Sequence, residues 1–140
     1  MTTHQHTDVA AGADARAAVS LRLWLRLDAA ASGLTGVGAV AGVGFLPDLL
    51  GTPPALLWPV GGFLVMWATA LAYLASRPRM NRAAVWAVIV LNLLWVLDSV
   101  AIVLAGWFPL TGLGVGYVLL QAAAVAMFAE FQYLGARRLR

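Results

Sequence analysis

Asp98 is the strongest candidate for a functional residue in this sequence, because it is the acid that lies deepest inside an apolar stretch. An ionisable side chain inside a membrane is costly and usually faces a partner or a cavity. At a rise of 1.5 Å per residue, Asp98 would lie roughly 6 Å outward of the middle of its helix. Gln121, in the next apolar stretch, would lie roughly 4 Å outward of its own midpoint. The two side chains could therefore form a hydrogen bond.

Further polar and aromatic residues recur on the same two helices at helical spacing. The first group is Asn92, Trp95 and Ser99, and the second is Tyr117, Gln121, Phe128 and Gln132. Residues at these spacings share one face of a helix. We expect the two faces to meet, and we predict one polar site. Its members are Asn92, Trp95, Asp98, Tyr117 and Gln121.

Two interpretations of this site stay open. In the first, Asp98 is protonated or hydrogen-bonded and only holds helices together, at about 0.6 kcal/mol per bond in a membrane. In the second, Asp98 is the centre of a proton or ligand site. A polar cavity beside Asp98 would favour the second interpretation, and a dry helix contact would favour the first.

Two more acids, Asp28 and Glu130, are expected near the inner membrane surface. Arg26 and Arg137 lie within reach of that surface. We expect ion pairs of the kind found on protein surfaces, which contribute little to stability.

Small residues recur along the first apolar stretch and predict a helix-packing face. Ser32 and Gly36 are four residues apart, as are Gly38 and Gly42. Small residues at this spacing let two helix backbones approach closely. The groove could receive a helix of the same chain or of a second copy, and we favour packing within the chain.

Enzyme chemistry finds little support in the sequence. A second deep carboxylate for paired acid–base work is missing, as are a histidine in any apolar stretch and a glycine-rich phosphate loop after a strand. The chain has no cysteine, and no pair of histidines has metal-ligand spacing on a helix. We therefore expect a protein without catalytic activity, metal or other cofactor.

The composition places the chain in a membrane. Of its 140 residues 62% are hydrophobic and 11% are charged, whereas ordinary globular domains carry about 25% charged residues. Its nine basic residues are all arginines and fall into three short clusters. Such clusters do not form the continuous basic stripe that follows phosphates, so nucleic acid is not an expected partner.

Four stretches are long enough to cross a hydrocarbon core roughly 30 Å thick. They are residues 27–46, 55–75, 83–105 and 113–134, separated by short turns that contain proline or glycine. Short connections make neighbouring helices antiparallel. The predicted fold is all-α: a disordered polar tail over residues 1–16, followed by a bundle of four transmembrane helices over residues 17–140.

The arginines also predict the orientation of the bundle, since cytoplasmic loops retain positive charge. One cluster precedes the first predicted span, one joins the second to the third, and one follows the fourth. Their members are Arg16, Arg22 and Arg26; Arg77, Arg79 and Arg82; and Arg137, Arg138 and Arg140. The other two loops contain no base, so both termini are predicted to be cytoplasmic.

In outline the chain resembles the small four-helix inner-membrane proteins of bacteria. It is also similar in size to the small multidrug exporters, but those carry an acid deep in the first helix, where this sequence has glycines and Thr35. We expect a multi-pass protein of the bacterial inner membrane, in contact with lipid. The expected role is an accessory or assembly partner of a larger membrane complex, or a homo-oligomer. The alternative is a small transporter or lipophilic-ligand carrier centred on Asp98.

Overall fold

The chain folds into helices joined by short loops. The computed structural model describes the backbone of residues 2–139 and the side chains of residues 11–139. Within this range there are five helices and no strand. They are α1 (Thr2–Ala41), α2 (Leu46–Leu50), α3 (Pro54–Ser76), α4 (Arg82–Ala105) and α5 (Gly112–Ala136).

Three of the helices, α3, α4 and α5, are long and apolar enough to cross a membrane. Each lies within two residues of a predicted span, because polar caps define the starts of two of them. Asn81 accepts a hydrogen bond from the amide of Ala84 at the start of α4, and Thr111 does the same for Gly114 at the start of α5. Gly106 ends α4 in the left-handed conformation that glycine adopts without cost.

Helix α1 differs from the prediction at both ends. It begins at Thr2 and so includes most of the segment expected to be a disordered tail. Alanines favour a helix over a coil there, since alanine has the highest helix propensity. At the other end α1 stops at Ala41, five residues before the predicted end. Glycines at positions 42 and 44 weaken the helix, and the chain turns before α2 begins.

The helices pack as two antiparallel pairs, α1 with α3 and α4 with α5, and α1 also contacts α5. Gly36 lies against Gly61 so closely that a Cβ at Gly36 would be 2.7 Å from the Gly61 carbonyl oxygen. The predicted small-residue face thus packs within the chain at Gly36. The other three residues of that face do not pack in this way. Gly38 faces open space, Gly42 is next to the Leu46 side chain, and Ser32 lines a cavity.

Hydrogen bonds to loop residues connect helices at both ends of the bundle. At one end the Arg22 guanidinium donates hydrogen bonds to the carbonyls of Ala75, in the last turn of α3, and of Arg77 and Pro78, just after it. At the other end the Thr111 amide and hydroxyl donate to the carbonyls of Leu50 and Leu49. Helices α3 and α4 follow one another in the chain, but their backbones are rarely close, which leaves a cleft between them.

Candidate functional site

A cavity of about 320 Å³ lies between α1, α3, α4 and α5, where α3 and α4 diverge. Most of its wall is apolar, with aromatic rings and aliphatic side chains. The polar residues in the wall are Ser32, Thr35, Asn92, Asp98 and Gln121, with Trp95 among the aromatic ones. A mostly apolar cavity with a few convergent polar groups is the usual form of a small-molecule site.

One face of α4 supplies the polar side of the cavity. Asn92, Trp95 and Asp98 follow at three-residue spacing, which keeps them on one side of the helix. Asp98 is the one ionisable side chain among the described residues that line the cavity. Its side chain is exposed rather than packed into the bundle. The carboxylate is therefore accessible to a molecule that enters the cleft.

Aromatic rings line the cavity from both sides. The Phe63 ring on α3 is nearly parallel to the Trp95 ring on α4, with 6.0 Å between centroids. Phe63 also stacks with Trp67 on its own helix, at 6.2 Å. Aromatic rings pack well against flat apolar groups, and the partial negative charge of a ring face attracts cations.

A chain of hydrogen bonds fixes the orientation of the Trp95 ring. The Trp95 indole donates to the Gln121 side-chain oxygen at 2.9 Å, and the Gln121 amide donates to the Ser99 hydroxyl at 3.0 Å. The Ser99 hydroxyl in turn donates to the Trp95 carbonyl at 2.8 Å. A hydrogen bond between Gln121 and Asp98, which the sequence allowed, is not formed; Gln121 bonds Trp95 and Ser99 instead.

The predicted site residues are brought together in part. The expected meeting of the α4 and α5 faces is confirmed by the bonds of Trp95 and Ser99 to Gln121 and of Asn92 to Gln132. Asn92, Trp95, Asp98 and Gln121 all line the cavity. Tyr117 is 43% exposed and does not belong to the wall.

A second polar cluster, which was not predicted, lies beside the cavity and is centred on Asp28. One Asp28 carboxylate oxygen accepts hydrogen bonds from the side-chain amides of Asn92 and Gln132, each at 2.7 Å. The other oxygen accepts from the Ser32 hydroxyl at 3.2 Å. Asn92 also donates to Gln132 at 3.1 Å. Helices α1, α4 and α5 are thereby joined through one carboxylate.

The Asp28 cluster is almost completely buried. Asp28 is 1% exposed, Asn92 3% and Gln132 0%. The prediction that Asp28 forms a surface ion pair with arginine is therefore wrong. Glu130 is exposed, and its ion pair with arginine stays a prediction. Buried polar groups persist where each finds a hydrogen-bond partner. The cluster reaches the cavity through Ser32 and Asn92, which belong to both.

A signal for this cluster was present in the sequence. Asp28 and Ser32 are four residues apart, and polar Asn92 and Gln132 interrupt apolar helices. Because Arg22 contacts the end of α3 and Gly36 contacts Gly61, residues 22–41 run beside α3. Asp28 is six residues, or about 9 Å, along α1 from Arg22. Starting the first span at residue 27 placed this acid too near the surface.

Comparison of the chain with protein-family models, with curated protein sequences and with solved structures gives no significant match. Within the described residues, no group of three or more histidines, cysteines or acids could hold a metal ion. The polar groups in the cavity wall are one exposed carboxylate, two amides and two hydroxyls, beside several aromatic rings. These groups can bind a molecule, with hydrogen-bond acceptors and aromatic surfaces as the main features.

Proposed function

We propose that the chain crosses the bacterial inner membrane four times, with both termini in the cytoplasm. The contacts of Arg22 with the end of α3, and of Arg82 with the Leu139 carbonyl, support this topology. They join the three arginine clusters at one end of the bundle, where retained positive charge is expected. Residues 22–41 of α1 run beside α3, which is long enough to span.

The native chain has no cysteine, so single cysteines can report this topology. We expect cysteines at positions 12, 79 and 138 to be labelled by membrane-impermeant maleimide only after the inner membrane is opened. A cysteine at position 48 should be labelled in intact spheroplasts. Labelling of position 79 in intact spheroplasts would contradict the topology.

We further propose that this protein binds a lipophilic small molecule that carries a cationic or hydrogen-bond-donating group. The observation that carries the proposal is the 320 Å³ cavity with Asp98 in its wall. Its aromatic faces suit a flat apolar body, and the Asp98 carboxylate suits a protonated amine at one end. Binding would take place from the bilayer, because the cleft between α3 and α4 opens to the side.

The Asp28 cluster has a separate part in this proposal. It bonds three helices together and includes Ser32 and Asn92 of the cavity wall. We assign it the role of holding the wall in place, while Asp98 contacts the ligand. Asp28 and Asp98 would thus differ in function, with Asp28 positioning the helices and Asp98 binding the ligand.

Asp98→Asn should reduce binding of 4-phenylbutylamine at least tenfold. A hydrogen bond to a charged group contributes about 1.5–3 kcal/mol, and 1.4 kcal/mol corresponds to a factor of ten. Quenching of tryptophan fluorescence in nanodiscs of zwitterionic lipid would measure the affinity. 4-Phenylbutanoate, with the same aryl chain and the opposite charge, should bind the parent more weakly than the amine.

Asp48→Asn is the matched control, because it removes the same charge from an exposed position on α2. It should leave amine binding unchanged. Equal affinity of the parent for the amine and the carboxylate would count against the site. The same conclusion would follow if both aspartate variants weakened amine binding to the same extent.

The role as an accessory subunit or homo-oligomer stays a prediction. Purification in mild detergent followed by native mass spectrometry would test it. Recovery of a lone monomer would argue against it.

A further inference from the structure

A groove of about 510 Å³ lies between α3 and α4 at the arginine end of the bundle. It adjoins the first cavity, because Trp67 and Leu91 line both. Its apolar floor includes Ala70 from α3 and Ala87 and Leu91 from α4, which are exposed, and Leu71, Leu74 and Val88, which are buried. The groove is a second opening of the cleft that separates these two helices.

Two arginines lie at the mouth of the groove, in the loop that connects α3 to α4. Arg77 and Arg79 are both exposed and both line it, together with Asn81. No acid lies among the described residues of the groove wall. The mouth therefore carries two positive charges, and the interior carries none.

The arginine loop is held in place by contacts from outside the groove. Arg22 donates hydrogen bonds to the carbonyls of Arg77 and Pro78. The Arg77 guanidinium lies over the Tyr73 ring, 5.3 Å from its centroid. A positively charged guanidinium near an aromatic face is attracted to it. These contacts hold the loop backbone and the Arg77 guanidinium in place at the mouth of the groove.

The length of the groove matches one leaflet of a bilayer. From Arg77 to Trp67 along α3 is ten residues, and from Asn81 to Leu91 along α4 is also ten residues. Ten helical residues extend about 15 Å. Half of a hydrocarbon core roughly 30 Å thick is the same distance. A lipid with its headgroup at the arginines would extend its chain to Trp67.

From these observations we infer that the groove binds one anionic glycerophospholipid of the cytoplasmic leaflet. Its phosphate contacts Arg77 and Arg79, and one acyl chain lies on the apolar floor between α3 and α4. This site is distinct from the amine site at Asp98, and it rests on the membrane topology proposed above. The net negative charge of the anionic headgroup favours this lipid at the two arginines, because in a zwitterionic headgroup a quaternary ammonium offsets the phosphate charge.

Native mass spectrometry of protein released from mixed nanodiscs of phosphatidylglycerol and phosphatidylcholine tests the inference. The parent should retain one phosphatidylglycerol, and glycerol phosphate without acyl chains should not displace it. The double variant Arg77→Ala/Arg79→Ala should retain it about 30-fold less. That factor corresponds to about 2 kcal/mol, or about 1 kcal/mol for each arginine near the membrane surface.

The double variant Arg137→Ala/Arg138→Ala is the matched control, since it removes the same charge near the same end of the bundle. It should retain the lipid as the parent does. Ala87→Trp, at an exposed position of the groove wall, should exclude the lipid with all arginines intact. Equal losses in both arginine double variants would overturn the inference, as would retention of phosphatidylcholine equal to that of phosphatidylglycerol.

Binding of 4-phenylbutylamine in the Arg77→Ala/Arg79→Ala variant separates the two sites. Unchanged amine affinity with loss of the lipid supports a distinct lipid site. Retention of the lipid by that variant overturns the lipid site whatever the result at Asp98.

Discussion

Asp28→Ala is expected to lower the free energy of unfolding of the bundle by about 3 kcal/mol. The carboxylate accepts hydrogen bonds from Ser32, Asn92 and Gln132, and these join three helices. Hydrogen bonds in membranes average about 0.6 kcal/mol each, and the removed carboxylate also leaves a cavity. Unfolding with increasing dodecyl sulfate in mixed micelles would measure the change.

Asp28→Asn should lie between alanine and the parent, because its side chain has the same size and keeps one acceptor oxygen. Asp98→Ala is the control, since Asp98 is exposed and makes no hydrogen bond to the described residues. It should leave the unfolding free energy within about 0.5 kcal/mol of the parent. A larger loss from Asp98→Ala than from Asp28→Ala would reverse the roles assigned to the two acids.

Gly36→Val is expected to destabilise the bundle by about 3 kcal/mol, because α1 and α3 have no room for a side chain there. A Cβ at this position would lie 2.7 Å from the Gly61 carbonyl oxygen and 2.9 Å from the Leu64 Cβ. The first neighbour is backbone, so the two helices must move apart. The same unfolding measurement would report the effect.

Gly38→Val provides the matched comparison two residues away on α1. A Cβ at Gly38 meets no atom within 4 Å. This variant should be close to neutral. If both valine variants cost the same, the close approach of α1 and α3 at Gly36 would not be a source of stability.

The three apolar helices were predictable because their signals are local. Hydrophobic length, and caps such as Asn81 and Thr111, define them within two residues. The start of the part of α1 that runs beside α3 was not predictable in this way. Its alanines and glycines carry a weaker apolar signal, and its position depends on the contacts of Arg22 and Gly36 with α3.

Most residues of the candidate site were predicted from the sequence, but the hydrogen bonds between them were not. Helical spacing placed Asn92 and Trp95 on one face, and the structure brings that face against Gln121 and Gln132. Which donor meets which acceptor depends on the tilt and rotation of the helices. Those follow from packing between distant segments, so the sequence could not show that Gln121 bonds Trp95 rather than Asp98.

The cleft itself arises from the tertiary structure. Helices α3 and α4 are consecutive, and a short connection normally predicts close antiparallel packing. Instead α3 packs on α1 through Gly36 and Gly61, and α4 packs on α5. The space that remains becomes the cavity and the groove.

Photo-cross-linking of 4-(4-azidophenyl)butylamine in nanodiscs, mapped by mass spectrometry, tests most directly whether the cavity beside Asp98 binds a lipophilic amine. We expect adducts on Phe63, Trp67 or Trp95, suppressed by excess 4-phenylbutylamine and reduced in Asp98→Asn. Leu104 and Leu120, which are 82% and 72% exposed, should receive few adducts. Adducts spread over these exposed leucines, unaffected by competitor or by Asp98→Asn, would contradict the binding site.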